Sequence, residues 1–197
     1  MNEILRKYIP ENSIFLVQEI LEAHHIEIKI VNNRTSKHGD FKRLLNGSFQ
    51  ITINNSLNEY QFLLTLIHEI AHFVTYKQNK RAKPHGIEWK RNFQHLMLPF
   101  LNPEIFPNNI LPLLAKHFIN PRASSDTDVQ LALALKQFDE PNNKTFIFEV
   151  PLGCTFKLYN GKIFKMGEKR VKRYQCLELK TGKIYLFNPN AEVELIN

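Results

Sequence analysis

His68-Glu69-Ile70-Ala71-His72 sets two imidazoles four residues apart, with a carboxylate directly after the first. On a helix, positions i and i+4 stack on one face, so both rings can reach a single cation. The glutamate is rotated by about 100° from its neighbour. It can therefore sit beside a metal-bound water, not on the metal, and accept its proton. That is the chemistry of a zinc-dependent hydrolase, with His68 and His72 as ligands and Glu69 as general base.

The chemistry requires a helix at this position. Ser56-Leu57-Asn58-Glu59 has the form of a capping box and predicts a helix N-terminus near Leu57. From there Phe62, Leu63, Leu64, Leu66, Ile67, Ile70, Ala71, Phe73 and Val74 make an almost continuously apolar run. Such a helix is buried nearly all round. Two histidines and a glutamate inside it are costly unless something satisfies them, and a metal does so. The alternative is a pair of core histidines hydrogen-bonded to backbone.

Catalytic zinc usually keeps three protein ligands and one open position. His85, His95 and His117 lie downstream. His85 is favoured, because Pro84-His85-Gly86 reads as a turn just before a helix. That helix carries Trp89, Phe93, Leu96 and Met97 on one face and stops before Pro99. His95 falls in mid-helix and reads as a partly buried structural residue. His117 lies far away among prolines. His24, His25 and His38 precede the metal helix and read as surface or loop residues.

His68-Glu69-x-x-His72, a short polar linker, then His85-Gly86-x-Glu88-Trp89 together resemble the SprT-like metallopeptidase family, which includes the Spartan DNA–protein crosslink proteases. The resemblance covers roughly residues 10–100. It implies an α+β, zincin-like domain: a helix, a small sheet, the H-E-x-x-H helix and a helix that brings the third ligand. It implies that His68, His72 and His85 bind zinc and that Glu69 is the catalytic base. The chain departs from the family in one respect. Many members carry a C-terminal zinc ribbon with four cysteines in two C-x-x-C pairs, whereas this chain has only Cys154 and Cys176, unpaired in that sense, and no histidine after His117. One zinc ion is expected, with a C-terminal ribbon-like unit that binds no metal.

Two cysteines in 197 residues do not make a disulfide framework. No apolar run is long enough to span a bilayer. The N-terminus lacks the apolar core and cleavage site of a signal peptide. A reducing cytoplasm is the expected compartment. A hydrophobic fraction of 43% suffices for a packed core. The net charge of +7 favours acidic partners, nucleic acid among them.

Along the chain, residues 11–25 keep helical spacing. Ile26 to Val31 alternates with period two and reads as a strand, and Ser48 to Ile53 as a second. Asn32 to Asp40 reads as a polar loop. By analogy with zincins, the edge of this sheet can hold an extended substrate backbone. A proline-studded stretch, Pro99 to Pro121, contains a short helix over 111–118. Ser125 or Asp126 caps a further helix reaching about Phe138, with Leu131, Leu135 and Phe138 as its buried stripe. After Pro141 the pattern changes to short strands at 145–150, 155–159, 162–165, 172–179, 183–187 and 192–196. Asn160-Gly161 and Thr181-Gly182 supply hairpin turns. The expected domains are thus residues 1–140, the metallopeptidase with a helical extension, and residues 141–197, a small antiparallel β unit.

Two basic clusters stand out. Lys77, Lys80, Arg81 and Lys83 lie between the second and third ligands and should rim the cleft. Lys157, Lys162, Lys165, Lys169, Arg170, Lys172 and Arg173 concentrate in the β unit, interleaved with Phe156, Tyr159, Phe164 and Tyr174. Basic groups with exposed aromatics bind single-stranded DNA through phosphate contact and base stacking. The candidate contacts are Lys80, Arg81, Lys83, Lys169, Arg170, Lys172 and Arg173. The competing reading is a solvated sheet face with the aromatics inside. The expected function is peptide-bond hydrolysis by a zinc-activated water on protein or peptide substrates, DNA-associated proteins among them. Tyr76, Arg91 and His95 are the candidate oxyanion donors. The alternatives are a zinc-containing DNA-binding or adaptor protein without proteolysis, and a peptidase indifferent to DNA.

Overall fold

The computed structural model describes residues 2–24, 26–34, 37–124 and 128–196. The chain divides into two compact units, Met1–Asp139 and Glu140–Asn197. No helix among the described residues is long and apolar enough to cross a membrane.

The first unit opens with the short helix α1 (Asn2–Leu5) and then α2 (Ile14–His24), which buries Ile14, Val17 and Leu21. Three strands follow: β1 (Glu27–Val31), β2 (Gly39–Arg43) and β3 (Phe49–Asn54). Their order is β1-β3-β2, with β1 parallel and β2 antiparallel to β3. β3 is therefore central, and Ile51 through Asn54 are all buried. β2 lies at an edge. The polar loop expected over Asn32 to Asp40 therefore gives way to strand at Gly39; Gly-Asp-Phe-Lys-Arg lacks the alternation that marks a half-buried strand.

α3 (Glu59–Gln78) packs against β2, β3 and α4 (Ile87–Met97). Its burial nearly all round follows from its apolar sequence. The cap differs from the expectation: Asn58, not Ser56, is the N-cap, its side chain accepting from the Gln61 amide. Asn ranks with Ser as a cap, and the Asn58 amide also donates to the Leu135 carbonyl and the Asp139 carboxylate. These bonds hold the start of α3 to the last turn of α6 (Val129–Lys136) and to Asp139 just after it. α4 turns Trp89, Phe93 and Met97 inward, at helical spacing. α5 (Leu111–Ile119) lies in the proline-studded stretch, with a proline in its first turn. α6 is capped by Asp128. Ser125 and Asp126, the caps expected from sequence, lie outside the described residues. Leu131 and Leu135 are buried, whereas Phe138 is partly exposed and meets Tyr60 edge-on at 4.8 Å.

The second unit is one six-stranded antiparallel sheet. Its strands are β4 (Lys144–Phe146), β5 (Thr155–Lys157), β6 (Ile163–Arg170), β7 (Arg173–Glu178), β8 (Ile184–Phe187) and β9 (Glu192–Ile196). They run in the order β4-β9-β5-β6-β7-β8. Gly161 and Gly182 take positive φ at their turns, which a side chain would resist. A core of Ile147, Val150, Phe156, Phe164, Met166, Cys176 and Val193 holds the sheet. Cys176 is buried beside Met166, while Cys154 is exposed.

Candidate active site

His68 and His72 stand on one face of α3, as their spacing requires. Their Nε2 atoms are 3.1 Å apart. His85 reaches them from the turn before α4: its Nε2 lies 3.0 Å from that of His72 and 3.2 Å from that of His68. Among the described residues these three form the one group of convergent metal-ligand side chains. The triangle cannot be satisfied by hydrogen bonds alone. A neutral imidazole offers either one donor or one acceptor at Nε2, so at least one pair of the three faces lone pair to lone pair or hydrogen to hydrogen. A cation removes that conflict. Tetrahedral zinc, with Zn–N bonds of about 2.0–2.1 Å, needs ligand nitrogens roughly 3.3 Å apart. The donor set and its spacing therefore fit one zinc ion.

The electrostatics prepare the same outcome. Burial, together with repulsion from His72, His85 and His117, lowers the His68 pKa to about 2. Burial and His85 lower that of His72 to about 4. Burial alone lowers His85. All three rings are thus neutral at pH 7, the state that binds metal.

His85 is held by an unusual backbone. Its φ is +56°, a left-handed conformation that non-glycine residues seldom adopt. Gly86 follows as the N-cap of α4, its amide bonded to the Lys83 carbonyl at 2.9 Å. A Cβ on Gly86 would sit 2.9 Å from that same oxygen. The tight turn explains why a glycine follows the third histidine. Trp89 forms the floor. Fully buried, its ring lies 4.7 Å from His68 and His85 and 5.2 Å from His72. Its indole N–H has no protein partner among the described residues. Asn92 ties α4 to α3 through Thr75 and Gln78.

Glu69 is 7% exposed and points toward β2. Burial raises its pKa to about 8, and Asp40 adds to the rise, while the Phe41 amide, Lys37 and Arg34 oppose it. A divalent cation among the three histidines would draw it back down. The β2 residues beside Glu69 carried no motif in the sequence. The one available signal was a glycine opening a strand, which often marks close backbone approach.

Other candidates fall elsewhere. Arg91 and His95 are exposed, on the side of α4 turned away from Trp89 and Phe93. His95 is thus a surface residue, not the partly buried one expected. Tyr76 is half-buried against Phe41 and Phe49, at 6.1 and 5.7 Å. His117 is buried, with Nδ1 3.7 Å from the Asp128 carboxylate. Lys80, Arg81 and Lys83 are exposed in the first unit, and Lys169, Arg170, Lys172 and Arg173 in the second. Phe156 and Phe164 lie in the core of the sheet, so they offer no stacking surface; Tyr159 is exposed.

An α+β domain with an H-E-x-x-H helix packed on a small sheet, and a third histidine delivered by the turn before the next helix, is a zincin-like scaffold. The model of the SprT-like family matches residues 11–105, and this segment of the chain is similar to that family. No curated protein and no solved structure matches the chain significantly.

Proposed function

We propose that the SprT-like domain is a zinc metalloendopeptidase. The observation that supports this best is the convergence of three neutral imidazoles within 3.2 Å of one another, with the buried Glu69 one residue after the first. His68, His72 and His85 would hold the ion. Bound zinc supplies Lewis acidity, which polarises a carbonyl and makes a water more acidic. Glu69 takes the proton of the attacking water and returns it to the leaving amine. The amide of Phe41 and the burial around Glu69 hold that carboxylate in place. The antiparallel register leaves the backbone groups of Gly39 and Phe41 pointing away from β3, since the neighbouring positions make the ladder bonds. The Phe41 amide meets Glu69, so an extended peptide substrate adds to the other backbone groups of that edge, the two carbonyls among them.

We extend the proposal to DNA-associated protein substrates, with single-stranded DNA as a second ligand. The exposed basic run at the turn between β6 and β7, Lys169 to Arg173, favours it. The same run favours the alternative reading, a zinc-containing DNA-binding protein without proteolysis. Two free thiols fit a reducing compartment such as the cytoplasm. A protein-cleavage assay with and without single-stranded DNA, on wild type and Glu69→Gln, separates these readings. Glu69-dependent cleavage stimulated by DNA supports the full proposal, and Glu69-dependent cleavage indifferent to DNA leaves a general peptidase. DNA binding with no Glu69-dependent cleavage leaves the binding protein.

A further inference from the structure

We propose that Gly39 is a positioning residue for Glu69, resting on the reading of Glu69 as the base. A Cβ at Gly39 would lie 2.7 Å from Glu69 Oε1, 2.8 Å from Glu69 Cγ and 2.7 Å from Thr65 Cγ2. Gly39 is not among the glycines with positive φ. Its backbone suits any residue, so space, not conformational freedom, requires glycine here. The missing side chain is the room that the Glu69 carboxylate occupies.

Neither wall of that room retreats easily. On one side Thr65 is fixed on α3, its hydroxyl donating to the Gln61 carbonyl at 2.7 Å. On the other, β2 is paired to β3 from Gly39↔Ile53 to Arg43↔Phe49. The chain entering β2 is fastened to the end of β3 by Asn54, which is fully buried. Its amide nitrogen donates to Asn33 Oδ1 and to the carbonyls of Arg34 and Lys37, at 3.2, 3.0 and 2.9 Å. Its Oδ1 accepts from Arg34 Nε at 2.9 Å, and its backbone N–H donates to the His38 carbonyl at 2.9 Å. Arg34 also donates to Thr52 Oγ1 at 2.9 Å. With both walls fixed, the movable part is the Glu69 side chain. A methyl group at position 39 pushes the carboxylate away, while the histidines, on other parts of α3 and on the turn before α4, stay in place. A misplacement of about 1 Å at a reacting group costs on the order of 100-fold in rate.

The test compares Gly39→Ala/Thr65→Ser with Thr65→Ser, both zinc-loaded. The serine keeps the bond to Gln61 and removes the methyl collision, so Glu69 is the one remaining obstacle and misfolding is less of a risk. Crystal structures of the two should show the carboxylate displaced by roughly 1 Å with the three histidines superimposed. Zinc content should stay at one per chain. On a peptide substrate kcat should fall by about 100-fold, with KM within about twofold. A general structural defect would instead lower zinc content or shift KM with kcat. An undisplaced carboxylate, or an unchanged kcat, overturns the proposal. If wild type shows no Glu69-dependent cleavage, the reading of Glu69 as base fails, and the crystallographic displacement still decides the positioning claim.

Discussion

The Nε2 atoms of His72 and His85 lie 3.0 Å apart although the residues are thirteen positions apart in the chain. The first belongs to a regular helix, the second to a turn with left-handed backbone. Their meeting depends on Gly86, whose amide closes the turn onto Lys83.

Gly86→Ala should therefore act on the metal site. The new Cβ, 2.9 Å from the Lys83 carbonyl, opens the turn and draws His85 away. Zinc affinity should drop by about 10- to 100-fold, the range expected when ligand orientation is lost. Competition with a chromophoric chelator measures it, and unchanged affinity would show that the turn does not set the ligand.

Trp89 is the single tryptophan of the chain, and its ring touches all three histidines. Its fluorescence should report the site directly. One equivalent of Co(II) or Cu(II), which imidazole ligands also accept, should quench most of the emission with a sharp endpoint. His85→Ala should blunt that endpoint. Emission indifferent to metal would place the ion elsewhere.

The lowered pKa values of His68 and His72 predict zinc binding that tolerates acid. Three histidines with the ordinary value of 6.5 would weaken binding by about a thousandfold between pH 7.5 and 5.5. Here His68 and His72 hold no proton over that range, since their values lie at about 2 and about 4. Only His85 competes, so the loss should not exceed about tenfold. Isothermal titration at the two pH values measures this loss, and a thousandfold loss would contradict the burial argument.

Glu69 predicts the opposite slope in the metal-free protein. Its folded pKa, about 8, is above the ordinary carboxyl value of 4.5. Between those values the native state holds a proton that the unfolded state has released, so stability falls as pH rises. The loss approaches about 1.4 kcal/mol per pH unit within that window. Glu69→Gln removes this contribution. Denaturant melts of the two proteins with chelator present should diverge from pH 5 to pH 8, wild type losing stability relative to the variant. Parallel curves would mean that the carboxyl titrates normally.

The histidine cluster was legible because its marks are local. His68 and His72 are fixed by helix periodicity, and Pro84-His85-Gly86 carries the marks of a turn. The surroundings of Glu69 were not legible. β2 is a short edge strand whose Phe41 faces the aromatic rings of Phe49, Phe73 and Tyr76, contacts between residues far apart in the chain. The helix cap was misplaced by two residues because Ser56 and Asn58 are equally good caps. Tertiary bonds from Asn58 to Leu135 and Asp139 accompany the choice that the fold makes. The basic-aromatic pattern of the β unit was ambiguous for a related reason: alternation alone does not say which face packs, and Phe156 and Phe164 face the core.

The proposed activity requires the three histidines and Glu69 to act together on a peptide bond. The most direct measurement is kcat/KM for cleavage of an unfolded protein by wild type and Glu69→Gln, each verified to carry one zinc. Loss of the base should lower the rate by about 100- to 10,000-fold at constant zinc content. Equal rates in the two proteins would show that Glu69 is not the base and that this site does not cleave peptides as proposed.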